Sequence, residues 1–191
     1  MEFVWRYPSP LGGMTLASDG EALTGLRFDG QRQYRRPPET EREARWLPVF
    51  SETVRWLDLY FAGMVPDFTP PLRPAGTEFR KAIWEILRTI PYGETASYGE
   101  VAAIFTAQTG RSAMSAQAVG GAVGRNPIAI LIPCHRVIGA DGQLTGYAAG
   151  LDKKAKLLSL ECGREVCAGT EKTREMLQSK KNPAKIDSVK R

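Results

Sequence analysis

Apolar residues recur at two different periods along this chain, and the period changes as the chain proceeds. Over the first thirty residues, short apolar runs are separated by turn residues. Phe3 to Tyr7, Met14 to Ser18 and Ala22 to Phe28 read as three strands of a small antiparallel sheet. Pro8 to Gly13 separates the first from the second. Asp19-Gly20, a pair suited to positive φ at both turn positions, predicts a hairpin between the second and third. Gln31 to Glu43 is polar, contains Pro37-Pro38 and reads as a loop. From Pro48 to Phe61 the period becomes helical. Phe50, Val54, Leu57 and Phe61 fall on one face, which predicts an amphipathic helix able to cover the sheet. Four prolines between Met64 and Gly76 read as a linker.

Beyond the linker the helical period dominates. Glu78 to Ile90 places Phe79, Ile83, Leu87 and Ile90 on one face, and Pro91-Tyr92-Gly93 ends it. Ser97 and Glu100 stand at capping-box spacing, so a second helix begins near Tyr98, with Val101, Ile104 and Phe105 on its apolar side. A third is expected from Ala113 to about Gly124, ended by Asn126-Pro127. Ile128 to Ile132 is a short apolar run. Asp152 is the expected cap of a last helix that buries Leu157, Leu158 and Leu160 and stops before Gly163. Residues 164–191 have no apolar period and are expected to be mobile.

Composition changes this picture little. With 191 residues, 42% apolar and 25% charged, the chain is an ordinary globular protein, not a disordered, collagenous or disulfide-scaffold one. No apolar run approaches membrane-spanning length, and Met1 to Tyr7 lacks the pattern of a signal peptide. Three cysteines, an odd number, argue against a disulfide framework and suit a reducing cytoplasm. Charge changes it more. The net +5 is uneven: residues 162–191 hold 8 basic and 4 acidic side chains. A basic balance permits a nucleic-acid partner without proving one.

The chain has one histidine, His135, directly after Cys134. A free thiol is only a few per cent ionised at neutral pH, and a neighbouring base raises that fraction. Adjacent side chains on a strand face opposite ways, so the pair must sit on a turn or communicate through water. The alternative is a buried cysteine beside a partly exposed histidine. Structural zinc is disfavoured, because no cysteine precedes residue 134 and Cys162 and Cys167 have no second histidine. The expected third helix is nearly all small residues, with Gly120 and Gly121 in its interior. Each such glycine costs about 1 kcal/mol relative to alanine. Either another helix or a ligand must therefore approach its backbone closely. Behind a capped helix and a loop, it has the layout of a helix-turn-helix.

Together these segments resemble the O6-alkylguanine-DNA alkyltransferases, also called methylated-DNA–protein-cysteine methyltransferases. The resemblance rests on Gly76-Thr77-Glu78-Phe79, Ile90-Pro91-Tyr92-Gly93, Ser97-Tyr98-Gly99, Ala118 to Ala122, Asn126-Pro127, Pro133 to Val137, and Thr145-Gly146-Tyr147. It implies an α+β protein in three parts. Residues 1–75 would form a small ribonuclease-H-like α/β domain. Residues 76–161 would form a helical domain with a winged helix-turn-helix, and residues 162–191 a basic tail. It implies a monomer that needs no cofactor, metal or membrane. The partner would be duplex DNA carrying O6-alkylguanine or O4-alkylthymine, the alkyl group passing irreversibly to the protein's own cysteine.

By the same resemblance, Cys134 is the acceptor, His135 a base acting through a water, and Glu161 the carboxylate that orients the ring. Tyr98 would press on the phosphate beside a flipped guanine, although it could equally be a surface aromatic of a first helical turn. Asn126 would order the turn before Cys134, and Tyr147 and Ala148 would line the base pocket. Ser115, Ala116, Gln117, Gly120 and Arg125 would meet the DNA. Arg136 would be structural, paired with a carboxylate such as Asp152. The chain departs from the family at Gln117, where many relatives carry arginine, in a longer connection after Tyr98, and in lacking N-terminal zinc ligands. Two rivals stand beside this reading: a module that binds alkylated DNA without reacting, and a cysteine hydrolase.

Overall fold

A computed structural model describes residues 2–31, 42–44, 46–110 and 113–163. The expected basic tail and Cys167 lie outside these residues. The fold is α+β, a small N-terminal sheet with one helix followed by a helical half. Strands β1 (Glu2–Ser9), β2 (Gly12–Ser18) and β3 (Leu23–Phe28) pair antiparallel, and β4 (Arg42–Ala44) adds parallel to β1. The sheet order is β3-β2-β1-β4. The turn between β2 and β3 is longer than a two-residue hairpin. Asp19 Oδ1 accepts from the backbone N–H groups of Glu21 and Ala22, and only Gly20 takes positive φ (110°). The side-chain acceptor does what a second left-handed residue would otherwise do. Strand β4 lies in the stretch read as loop. Its three residues are too few for a periodic signal.

Helix α1 (Pro48–Phe61) spans the range its periodicity predicts, but its buried face is rotated. Phe50, Thr53, Trp56, Leu57 and Tyr60 are buried, whereas Val54 and Phe61 are only half-buried. Helices α2 (Glu78–Arg88), α3 (Tyr98–Thr109) and α4 (Ala116–Val123) pack on one another. Trp84 of α2 donates its indole N–H to the Ala122 carbonyl of α4 at 3.0 Å. Gly76 is small because the Trp84 ring lies against it, and a Cβ there would fall 2.6 Å from the ring. The capping box at Ser97 and Glu100 is formed. Helix α4 is shorter than expected, because Ser115 caps it by accepting from Ala118 N at 3.2 Å.

Strands β5 (Ala96–Ser97) and β6 (Val137–Ile138) form a two-stranded parallel sheet, and α5 (Leu151–Cys162) closes the described chain. Asp152 does not cap α5. Gly150 occupies that position with no side-chain bond, and Asp152 lies exposed in the first turn. The run Ile128 to Ile132 is not a strand. Leu26 N donates to Pro127 O and Ala129 N donates to Leu26 O, which fastens this segment to β3. One apolar core, from Tyr7 to Leu157, runs through both halves. Among the described residues no helix is long and apolar enough to cross a membrane.

Candidate active site

Cys134, His135 and Arg136 form a single 3-10 turn. The turn removes the geometric objection to adjacent residues sharing a site. The segment before it is held by Asn126, whose Nδ2 donates to Ile132 O (2.8 Å) and to Cys134 Sγ (3.1 Å), while its Oδ1 accepts from Ile128 N (3.0 Å). These bonds fix Ile130 at φ +69°, the one non-glycine residue with positive φ among the described residues. For a β-branched residue that conformation costs of order 1–3 kcal/mol and persists only where its surroundings impose it.

Both Cys134 and His135 are buried, at 8% and 0% exposure, so the histidine is not the half-exposed neighbour of a buried thiol. Burial pushes the Cys134 thiol pKa up, against the Asn126 hydrogen bond and the nearby Lys154 ammonium. Burial likewise lowers the His135 pKa, overcoming the pull of Glu161. The resting pair is therefore a thiol and a neutral imidazole, and no direct hydrogen bond joins them.

His135 Nε2 lies 2.7 Å from Glu161 Oε1. Burial alone would raise the Glu161 pKa, but His135 and the Arg136 guanidinium outweigh it and hold the carboxyl well below the usual carboxylate range. Arg136 grips the carboxylate with two nitrogens, Nε to Oε2 (2.9 Å) and Nη2 to Oε1 (3.0 Å). Its Nη1 donates to Ile90 O, and its guanidinium stands over the Tyr92 ring. The expected partner of Arg136, Asp152, is displaced by Glu161. Glu161 sits on the inner face of α5, whereas Asp152 faces outward. Since Arg136 neutralises the carboxylate, His135 can stay neutral. Its Nε2–H then points to Glu161, and Nδ1 is the basic nitrogen. Nδ1 is buried with no protein hydrogen-bond partner among the described residues.

Tyr98 begins α3. Its hydroxyl donates to Thr145 O (3.3 Å), and its ring borders Gly120 of α4. Tyr147 and Ala148 follow Thr145, half-buried on the loop before α5. The Tyr147 hydroxyl is buried and has no hydrogen-bond partner among the described residues. Burial, then the proximity of Cys134, raise the pKa of both tyrosines. Ser115, Ala116 and Gln117 are exposed at the start of α4, Gly120 is half-buried within it, and Arg125 is exposed just past its end. Arg125 donates back to Gly121 O (2.9 Å). Arg27, Arg80 and Arg125 line an open cleft at the C-terminal end of α4.

Two residues at the site escape sequence reasoning. Lys154 is fully buried, donates to Val137 O and Thr145 O, and has its pKa lowered to about 8 by burial. Tyr60 of α1 is also fully buried and donates to Glu161 Oε1 at 2.7 Å. A signal for the first exists. Lys154, Leu157, Leu158 and Glu161 share one helical stripe, so two charges stand on an apolar face. A tyrosine on such a face reads as plain core. Among the described residues no group of three or more His, Cys, Asp or Glu side chains is placed to hold a metal ion.

The chain is 44% identical over 169 residues to the methylated-DNA–protein-cysteine methyltransferase of Haemophilus influenzae, covering 88% of this chain and 90% of that one. It is 49% identical over 156 residues to the protein of the same name from Mycobacterium leprae, covering 80% and 88%. A crystal structure of Mycobacterium tuberculosis O6-methylguanine methyltransferase superposes with a TM-score of 0.74 at 44% identity, covering 86% of this chain and 94% of that one. A crystal structure of Mycobacterium tuberculosis OGT in complex with DNA matches with a TM-score of 0.74 at 43% identity, covering 90% and 98%. Residues 6–74 match the ribonuclease-like domain and residues 78–163 the DNA-binding domain of 6-O-methylguanine DNA methyltransferase, and by these matches the chain belongs to that family.

Proposed function

We propose that this protein repairs alkylated DNA by moving the alkyl group from guanine O6 to Sγ of Cys134, and less readily from thymine O4. One observation carries the reading: a buried thiol beside a neutral histidine whose tautomer is fixed by an ionised glutamate and whose second nitrogen is unpartnered. The thiol proton passes through a bridging water to His135 Nδ1. The S–C bond then forms as the C–O6 bond breaks, and the proton returns to the departing guanine. The alkyl-sulfur bond has no hydrolytic exit, so each molecule reacts once.

Glu161 holds the ring and compensates the imidazolium as it forms. Asn126 aims the sulfur. Tyr147, with Ala148 beside it, walls the base pocket and offers its hydroxyl to the guanine. The reacting atom is inaccessible inside a duplex, so the base must leave the stack. Tyr98, at the start of α3 and against α4, stands where a displaced nucleotide would pass. Ser115, Ala116, Gln117, Gly120 and Arg125 form the DNA face of α4, with Gln117 filling the vacated stack. We assign residues 1–75 to the N-terminal α/β domain, 76–161 to the reacting and DNA-binding domain, and 162–191 to a basic tail.

Incubation with duplex containing isotopically labelled O6-methylguanine, followed by peptide mass analysis, tests this. One methyl group should appear per molecule, on Cys134, and repair should stop at one equivalent. Sustained turnover, or methyl on Cys162 or Cys167 with Cys134 unmodified, overturns it.

A further inference from the structure

The Glu161 carboxylate accepts five hydrogen bonds. Four come from the helical half: His135 Nε2, two nitrogens of Arg136, and Gly93 N. The fifth comes from Tyr60, which lies across the core on α1 of the N-terminal half. Its hydroxyl is 2.7 Å from Oε1, the same oxygen that faces His135, and 3.4 Å from His135 Nε2 itself. The ring is fixed on three sides. It stacks on Trp56 (centroids 5.3 Å apart) and meets Phe61 and Tyr92 edge-on. Fixed this way, the hydroxyl cannot swing to another acceptor, and it shares Oε1 with the imidazole.

We infer that Tyr60 is a positioning residue for alkyl transfer, by which the N-terminal half sets the charge balance of the His135–Glu161 pair. The inference rests on the alkyl-transfer reading. A neutral donor on Oε1 stabilises the carboxylate and weakens its pull on an imidazole proton. His135 therefore stays neutral, with Nδ1 free to take the thiol proton, further into the acid range than it would beside an unshared glutamate. The titratable and charged groups facing the Tyr60 hydroxyl are Glu161 from α5, His135 and Arg136 from the 3-10 turn, Tyr92 after α2, and Tyr147 before α5. Removing the donor leaves Glu161 more basic and raises the pKa of His135.

The test is the pH dependence of alkylation by O6-benzylguanine, a free base that needs no DNA contact. Tyr60→Phe keeps the ring and deletes the hydroxyl. Its acid limb should move up by about one pH unit, so the fall in rate approaches tenfold below the wild-type limb and stays within about twofold near pH 8.5. Tyr7→Phe is the control. It deletes a hydroxyl bonded to Asp58 on the same helix (2.7 Å) without touching Glu161, and its limb should not move. Incorporation of 3-fluorotyrosine at position 60 keeps the fold, strengthens the donor and should move the limb down. Equal slowing of Tyr60→Phe at every pH, no slowing, or the same shift in Tyr7→Phe overturns the role of Tyr60 alone. A wild-type protein that takes neither the benzyl group nor the methyl group of O6-methylguanine in duplex overturns the alkyl-transfer reading, and this role with it.

Discussion

His135 is the only histidine in the chain, so its protonation can be followed without assignment. Burial lowers its pKa from the ordinary value of 6.5. The sign of the stability effect follows. Below 6.5 the unfolded chain binds a proton that the folded chain refuses, so stability is full above 6.5 and is lost as pH falls toward the folded value. Glu161, also lowered, acts in the same direction below its ordinary value of 4.5. The ring resonance should titrate with a midpoint below 6.5. Denaturant unfolding should weaken between pH 6.5 and 5 with a slope of up to about 1.4 kcal/mol per pH unit. His135→Gln should flatten that slope. A ring midpoint above 6.5, or an unchanged slope in the variant, refutes the neutral resting state.

At the scale of elements, the small-residue helix allows two explanations in the sequence, and the space around its glycines bears on them. A Cβ at Gly120 would meet Tyr98 no closer than 3.7 Å, and one at Gly121 would meet the Arg125 guanidinium at 3.4 Å. Those are ordinary contacts, so packing within the protein does not demand glycine at either place. Both positions thus leave room for close approach from outside, to the exposed face that carries Ser115, Ala116 and Gln117. Gly120→Ala should therefore stabilise the fold by up to about 1 kcal/mol through helix propensity. It should leave the free-base rate within about twofold and slow repair in duplex by about tenfold, worth 1.4 kcal/mol. Melting temperature and the two rates check this, and unchanged duplex repair would return α4 to ordinary packing.

The same helices show what was legible in the sequence. The bounds of α1 and the starts of α2 and α3 follow from period and caps, because those signals are local. The buried face of α1 is rotated by one residue from the one its apolar side chains mark. Val54 and Phe61 attract attention as apolar, while Thr53 and Tyr60 hold the inner positions. Thr53 can do so because its hydroxyl bonds to Val49 O within the helix. Nothing local in the sequence distinguishes Asp152 from Glu161 as the partner of Arg136. The choice depends on which side of α5 meets the 3-10 turn.

At the scale of the molecule, the pieces of the active site all precede residue 162, whereas most of the excess positive charge follows it. Residues 162–191 hold 8 basic and 4 acidic side chains against a whole-chain excess of +5. Without them the chain is nearly neutral overall, and Arg27, Arg80 and Arg125 still line the cleft at the end of α4. Each phosphate neutralised by a lysine or arginine releases counterions and contributes about 0.9 to the slope of log affinity against log salt. Removing residues 164–191 should therefore make that slope shallower by about one to three and weaken duplex binding most at low salt. The reaction with O6-benzylguanine should be unchanged, because Tyr60, Asn126, Cys134, His135 and Glu161 all remain. Measuring affinity across a salt series beside the free-base rate separates the two parts. An unchanged slope would mean that the tail stays off the DNA, and a slower free-base reaction would mean that residues after Gly163 support the site itself.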